Sequence, residues 1–217
     1  MKEVRASFGK RFLAFFIDIL ITGGIIFLFS ILLPENKNIT ILNKELVSVM
    51  EEFAMKKVDF FVYFSHVALI FKDLDKARIM YSIINALVIF IYFIFVPYFF
   101  DGKTVGKKIL KIKTIRNDKE CLSLKNLVIK NMIDTGLLYM LFSSMLIYIL
   151  PGYSYFISVI VLSILQICLI IASICMIIKR KDKRGLNDIL SGTKVINDFE
   201  ETKLDSNNIE NDIEVEE

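Results

Sequence analysis

The chain has no tryptophan, one histidine, three cysteines and three prolines among 217 residues. His66 stands in an apolar stretch without a cysteine or carboxylate at metal-ligand spacing, so neither a zinc centre nor any other metal or cofactor is expected. Cys121, Cys168 and Cys175 fit no disulfide framework and no metal motif; the last two lie on one apolar helix as packing residues. A strong charge imbalance is missing too. The net charge of +3 gives no reason to expect nucleic acid as a partner. No serine–histidine–aspartate set, metal cluster or matched carboxylate pair facing a polar pocket is visible, which argues against an enzyme. Nor is there an internal repeat of the kind that marks inverted-topology transporters.

What the chain does have is long apolar runs. Hydrophobic residues make up 55% of it, including 19 phenylalanines. A bilayer core of about 30 Å requires roughly 20 consecutive apolar residues in a helix. Residues 12–33 qualify, interrupted only by Asp18, and so do 81–100, 131–150 with Asp134 inside, and 155–178 after a Pro151-Gly152 turn. The expected fold is an all-α membrane protein of about four transmembrane helices. Lys2, Arg5, Lys10 and Arg11 before the first run resemble the start of a signal peptide. The run is too long for one, however, and lacks a small-x-small cleavage site before Pro34, so it is read as a retained helix.

Between the spans, 34–80 forms an outer loop. Leu46, Val49, Met50 and Phe53 share one face, which predicts an amphipathic helix over 44–57. Phe60 to Phe71 is too short to cross and is read as interfacial or bundle-covering. Residues 101–130 form a polar, basic loop, where partial alternation over Ile109–Ile115 and the Asn117-Asp118 turn signal predict a short β-hairpin. From Asp198 onward nine acidic residues accompany Lys203 alone, predicting a disordered tail over 198–217 behind a membrane domain over 1–197.

Basic residues set the orientation. The amino end holds 4, 101–130 holds 9 and the end from Lys179 holds 7, against 7 in the outer loop alongside seven acidic residues. Twenty of 27 therefore fall on one side, which places both termini and the basic loop in the cytoplasm. The bilayer is the first partner expected. A second copy or another membrane subunit is the next, because so few helices make a small bundle.

Charged residues inside spans mark either structure or function. Arg11 and Asp18 are seven apart, nearly on one helix face but about 10 Å apart along the axis, too far for direct pairing without snorkelling. Asp134 follows Lys130 at the favourable four-residue spacing. Arg11 and Lys130 read as cytoplasmic-side anchors; Asp18 and Asp134 read either as their structural partners or as transport residues. Asn85, Ser143, Ser144 and Gln166 are expected to hydrogen-bond across helices, and Gly23-Gly24 to permit close packing. Gly102-Lys103-Thr104 and Gly106-Lys107 look like a phosphate loop but lack the required earlier glycine and the following serine or threonine, so nucleotide binding is rejected.

Three segments together resemble the RDD family of small bacterial membrane proteins. Arg11, Ala14 and Asp18 are similar to its opening pattern. Gly102, Thr104, Gly106 and Lys107 resemble its Gly-x-Thr-x-Gly-Lys loop. Asp188, Gly192, Thr193 and Val195 resemble its closing His-Asp-x-x-x-Gly-Thr-x-Val pattern, with Asn187 in place of the histidine. The resemblance spans roughly residues 5–197 and implies that Arg11, Asp18 and Asp188 are the residues that name the family. It also implies a transport role, with cation–proton exchange for some members. The expected arrangement is one cytoplasmic-face cluster built from the three motifs, in which Asp188 caps a helix, pairs with Arg11 or Arg184, or bridges to the Gly-Lys loop. Rescue of Arg11→Ala and Asp188→Ala losses by their charge swap would support the cluster.

Overall fold

The computed structural model describes residues 4–34, 36–118 and 120–198. It is mostly helical. The order is α1 (Phe8–Leu32), α2 (Lys37–Ala54), α3 (Phe60–Ala77) and α4 (Ile79–Phe90), which runs through a π-helical turn (Ile91–Phe95) into α5 (Val96–Phe99). Then come α6 (Val105–Ile109), β1 (Ile112–Arg116), α7 (Leu124–Asp134), α8 (Leu137–Ile149), α9 (Gly152–Lys179), α10 (Leu186–Leu190) and β2 (Thr193–Asn197).

Phe8–Leu32, Ile79–Phe99 and Gly152–Lys179 are long and apolar enough to cross a membrane, matching three predicted spans. Their large apolar side chains point outward: Phe27, Leu28 and Leu32 are 65%, 63% and 79% exposed, a surface that belongs in lipid and not in water. Over the remaining predicted span, 131–150, the chain forms two helices, α7 and α8, with a bent break between them, and it counts as a fourth span where the two cross together. Gly136 at the break has φ +73, a left-handed conformation that glycine adopts without strain. Asp134, Thr135 and Gly136 interrupt the apolar run at the bend, but hydropathy averaged over a span length passes over so short a gap.

The described residues form two compact units. One comprises 4–24, 89–135 and 169–198, the other 25–88 and 136–168. In the second unit α2 and α3 form a helical hairpin around Val49, Val67, Ile70 and Leu74. Asp59 caps α3 by accepting from the Phe61 and Val62 amides at 2.8 and 3.1 Å, satisfying orphan donors of the first turn. The hairpin is held within its unit by the Tyr155 hydroxyl on Asp75 at 2.8 Å and by Lys72 Nζ on the Leu150 carbonyl at 2.6 Å. Predicted helix 44–57 is thus the longer α2, and the Phe60–Phe71 stretch extends to Ala77. Ser143 and Ser144 both donate to the Met140 carbonyl of their own helix, at 3.1 and 2.7 Å, not across helices as expected.

In the first unit β1 pairs antiparallel with β2, Thr114 opposite Val195. This corrects the expected local hairpin: the alternating segment is a strand, but its partner comes from the closing motif. The amino end adds a bridge from Arg5 to Ile196. Ala6, Ala14, Ile112 and Val195 make the small core. Asp198, read as the start of the acidic tail, is instead 1% exposed and pairs with Lys103 and, at 3.0 Å, Lys113. The rest of the predicted tail, 199–217, lies outside the described residues.

Candidate functional site

The Gly-x-Thr-x-Gly-Lys loop is folded around Asp18. Gly102 has φ +77, and a Cβ there would lie 1.9 Å from the Thr114 carbonyl oxygen. The Thr104 hydroxyl accepts from the Lys107 amide at 3.4 Å, capping α6, and donates to Asp18 Oδ2 at 2.5 Å. The Gly106 amide and the Tyr92 hydroxyl both donate to Asp18 Oδ1, at 2.8 and 2.7 Å. Gly106 approaches so closely that a Cβ would sit 2.2 Å from the Ala14 carbonyl. Ala14, four residues before Asp18 and 1% exposed, is the small surface α6 lies on. The first two motifs are therefore two halves of one contact, with a carboxylate that is 1% exposed at its centre.

Asp188 anchors the second part. Its carboxylate, 0% exposed, accepts from Arg11 at 2.7 Å, from Lys130 and from the Gly185 amide at 3.3 Å. Burial alone would raise its pKa; the charges of Lys130 and Arg11 outweigh burial and bring it to about 2. Arg11 also donates to the Val195 carbonyl at 3.2 Å, tying the ion pair to β2. The expected Lys130–Asp134 pair is loose, 3.8 Å, because Asp188 of α10 reaches the same ammonium more closely.

Asn187, at the position of the family histidine, bridges two partners. It donates to Asp134 and accepts from the Ser173 hydroxyl at 2.7 Å. An amide can donate and accept at once but cannot take up a proton at neutral pH, so this link carries no imidazole chemistry. Lys107 is half-buried, and its ammonium donates to Thr114 Oγ1 at 3.0 Å. Burial, and secondarily the charge of Lys130, lowers its pKa to about 8, while Asp18, Asp134 and Asp188 oppose the shift.

The π-helical turn supplies the remaining contact. Pro97 has no N–H, so the Phe93 carbonyl four residues earlier cannot take the α-helical bond from position 97. Asn131 Nδ2 fills the gap at 2.6 Å.

These groups surround a cavity of about 300 Å³. The structure brings Arg11, Asp18, Lys107, Asp134 and Asp188 to its wall; Gly102, Thr104 and Gly106 shape the loop behind. Sequence reasoning missed Tyr92, Asn131 and Ser173. Asn131, at the start of an apolar run, and Ser173, within one, carried a polar signal; Tyr92 carried none.

Helical spans with outward apolar side chains, joined by a buried ion-pair cluster, define a multi-pass membrane protein. The chain belongs to the RDD family, whose profile matches residues 5–192. No curated protein and no solved structure matches the chain.

Proposed function

We propose that this RDD-family protein is a component of membrane transport, and that the cavity of its first unit holds the transported solute or ion. The observation that supports the reading is a cavity of about 300 Å³ with acidic and basic side chains on its wall, beside helices of membrane-spanning length. Such groups are expensive near lipid and usually line a pathway or a wet site. Asp134 is the carboxylate best placed to act. Asp18 and Asp188 each accept three hydrogen bonds from the protein, whereas Asp134 has the Asn187 amide and a distant Lys130. In this reading the protein is not an enzyme. It sits in a bacterial plasma membrane with both termini cytoplasmic, and it works as a homo-oligomer or with another membrane subunit.

The test is purified protein in sealed liposomes, with cation-driven pH changes recorded for wild type, Asp134→Asn and Asp18→Asn. Transport lost in Asp134→Asn at unchanged melting temperature is the expected result. Asp18→Asn is expected to lose fold and flux together, because an amide nitrogen would face the Tyr92, Thr104 or Gly106 donors. Unaltered flux in Asp134→Asn would remove the cavity from the pathway.

The saturation of Asp18 and Asp188 favours a second reading, a membrane scaffold or assembly partner whose charges only staple the motifs together. Wild-type liposomes that show no flux of any tested cation, with a folded protein, would favour it.

A further inference from the structure

The cavity has two kinds of wall. Phe8, Phe12 and Phe15 of α1 are spaced four and three apart and so share one face, as do Ile170, Ile174 and Ile177 of α9. Phe12 is 58% exposed and Ile170 37%, so both apolar stripes extend from the cavity to the outer surface of their helices. The other wall is polar: Lys107, Asp134, Ser173 and Asn187. A bare ion would leave the apolar stripes unused. An acyl chain alone would leave charges facing hydrocarbon, which is costly. An amphiphile uses both.

The head group follows from which charges retain capacity. Asp18 is occupied by two hydroxyls and an amide, and Asp188 by two cations and an amide. Capacity is left on both signs: at Asp134 among the carboxylates, and among the cations at Lys107 and at the buried Arg11 Nε, which has no hydrogen-bond partner among the described residues. Asp134 lies 3.8 Å from its nearest cation, and Lys107 donates to a neutral hydroxyl. We infer that this cavity binds a phospholipid whose head carries both a primary ammonium, for Asp134, and a phosphate, for Lys107, with its first methylenes between the Phe and Ile stripes. The inference rests on the cavity being a ligand site but not on anything being moved through it. A volume of about 300 Å³ takes a head group and the start of a chain; the remainder stays in the bilayer.

Native mass spectrometry of the full chain tests this, with phosphatidylethanolamine, phosphatidylcholine and phosphatidylglycerol of identical chains added to delipidated protein. One retained phosphatidylethanolamine per protomer is expected, with about tenfold preference over each of the others, which corresponds to about 1.4 kcal/mol. Phosphatidylcholine shares the charges but cannot donate from its quaternary nitrogen, and phosphatidylglycerol has no cation. Asp134→Asn should abolish the preference; Ile174→Phe, which narrows the apolar wall and touches no charge, should reduce retention of all three. Ile164→Phe, further along the same helix, should change nothing. Equal retention of the three lipids, no retention, or a lipid-free dimer whose interface covers the stripes would overturn the proposal. Flux in liposomes that lack phosphatidylethanolamine, with no retained lipid, sinks this inference and leaves transport standing. Retained lipid without flux does the reverse.

Discussion

A methyl group at position 106 would lie 2.2 Å from the Ala14 carbonyl oxygen and 2.9 Å from an Asp18 carboxylate oxygen. Neither can retreat, since one is helix backbone and the other is fixed by Tyr92 and Thr104. Gly106→Ala is therefore expected to lower stability by about 2 kcal/mol through overpacking, read as a drop in melting temperature in detergent. Gly23→Ala, with nothing within 4 Å of its Cβ in the protomer, should leave the melting temperature unchanged. Arg11→Ala should be more damaging than either, on the order of 3 kcal/mol, because it removes one partner from a buried pair. The charge swap of Arg11 and Asp188 is now expected to rescue only in part. An arginine at 188 would meet Lys130, the cation that Asp188 also holds. At this scale the sequence was informative where a residue was out of place. Arg11, Asp18 and Asp188 stand out against apolar or basic surroundings, and all three proved to be buried or half-buried in the cluster. Their partners were harder to find, because a tyrosine in an apolar run or a glycine amide carries no mark of whom it will meet.

Among the elements, the π-helical turn and α7 depend on one another. Pro97 deprives the Phe93 carbonyl of the α-helical donor at position 97, and Asn131 supplies one from a different helix at 2.6 Å. Leaving a buried carbonyl unpaired costs roughly 1–3 kcal/mol, so Asn131→Leu should reduce stability by an amount in that range. Pro97→Ala would return an N–H to the helix and make the asparagine less necessary. A double-mutant cycle on melting free energies is the measurement. A smaller loss for Asn131→Leu in the Pro97→Ala background supports the coupling; equal losses in both would refute it. The helices themselves were legible because hydropathy and length suffice to mark Phe8–Leu32, Ile79–Phe99 and Gly152–Lys179. The break at Gly136 and the β1–β2 pairing were not. The first falls at Asp134-Thr135-Gly136, a three-residue gap that a span-length hydropathy average passes over. The second joins segments about eighty residues apart, and alternation identifies a strand without naming its neighbour.

For the molecule as a whole, a buried carboxylate and a half-buried ammonium make stability depend on pH with opposite signs. Asp188 has a folded pKa of about 2 against an ordinary 3.8. Its contribution is present above 3.8 and is lost as pH falls through about 2, where the folded carboxylate finally takes a proton. By linkage it amounts to roughly 2 kcal/mol. Lys107 runs the other way. Its folded pKa of about 8 lies below the ordinary 10.5, so the unfolded chain binds the extra proton between those values and stability rises across that interval. Lys107→Met removes the titration while keeping an unbranched side chain. Denaturation of the detergent-solubilised protein followed from pH 7 to 11 should show wild type gaining on the methionine variant between about 8 and 10.5. Two parallel curves would mean that the Lys107 ammonium is solvated in the folded protein, and the polar wall of the cavity would then lose the cation assigned to it. Asp188→Asn supplies the acid-side counterpart. Its deficit relative to wild type should be full at pH 6 and shrink as pH drops below 3.8. A deficit that persists unchanged to about pH 2 would locate its cause in the lost hydrogen-bond geometry with Arg11, Lys130 and Gly185, and not in the charge.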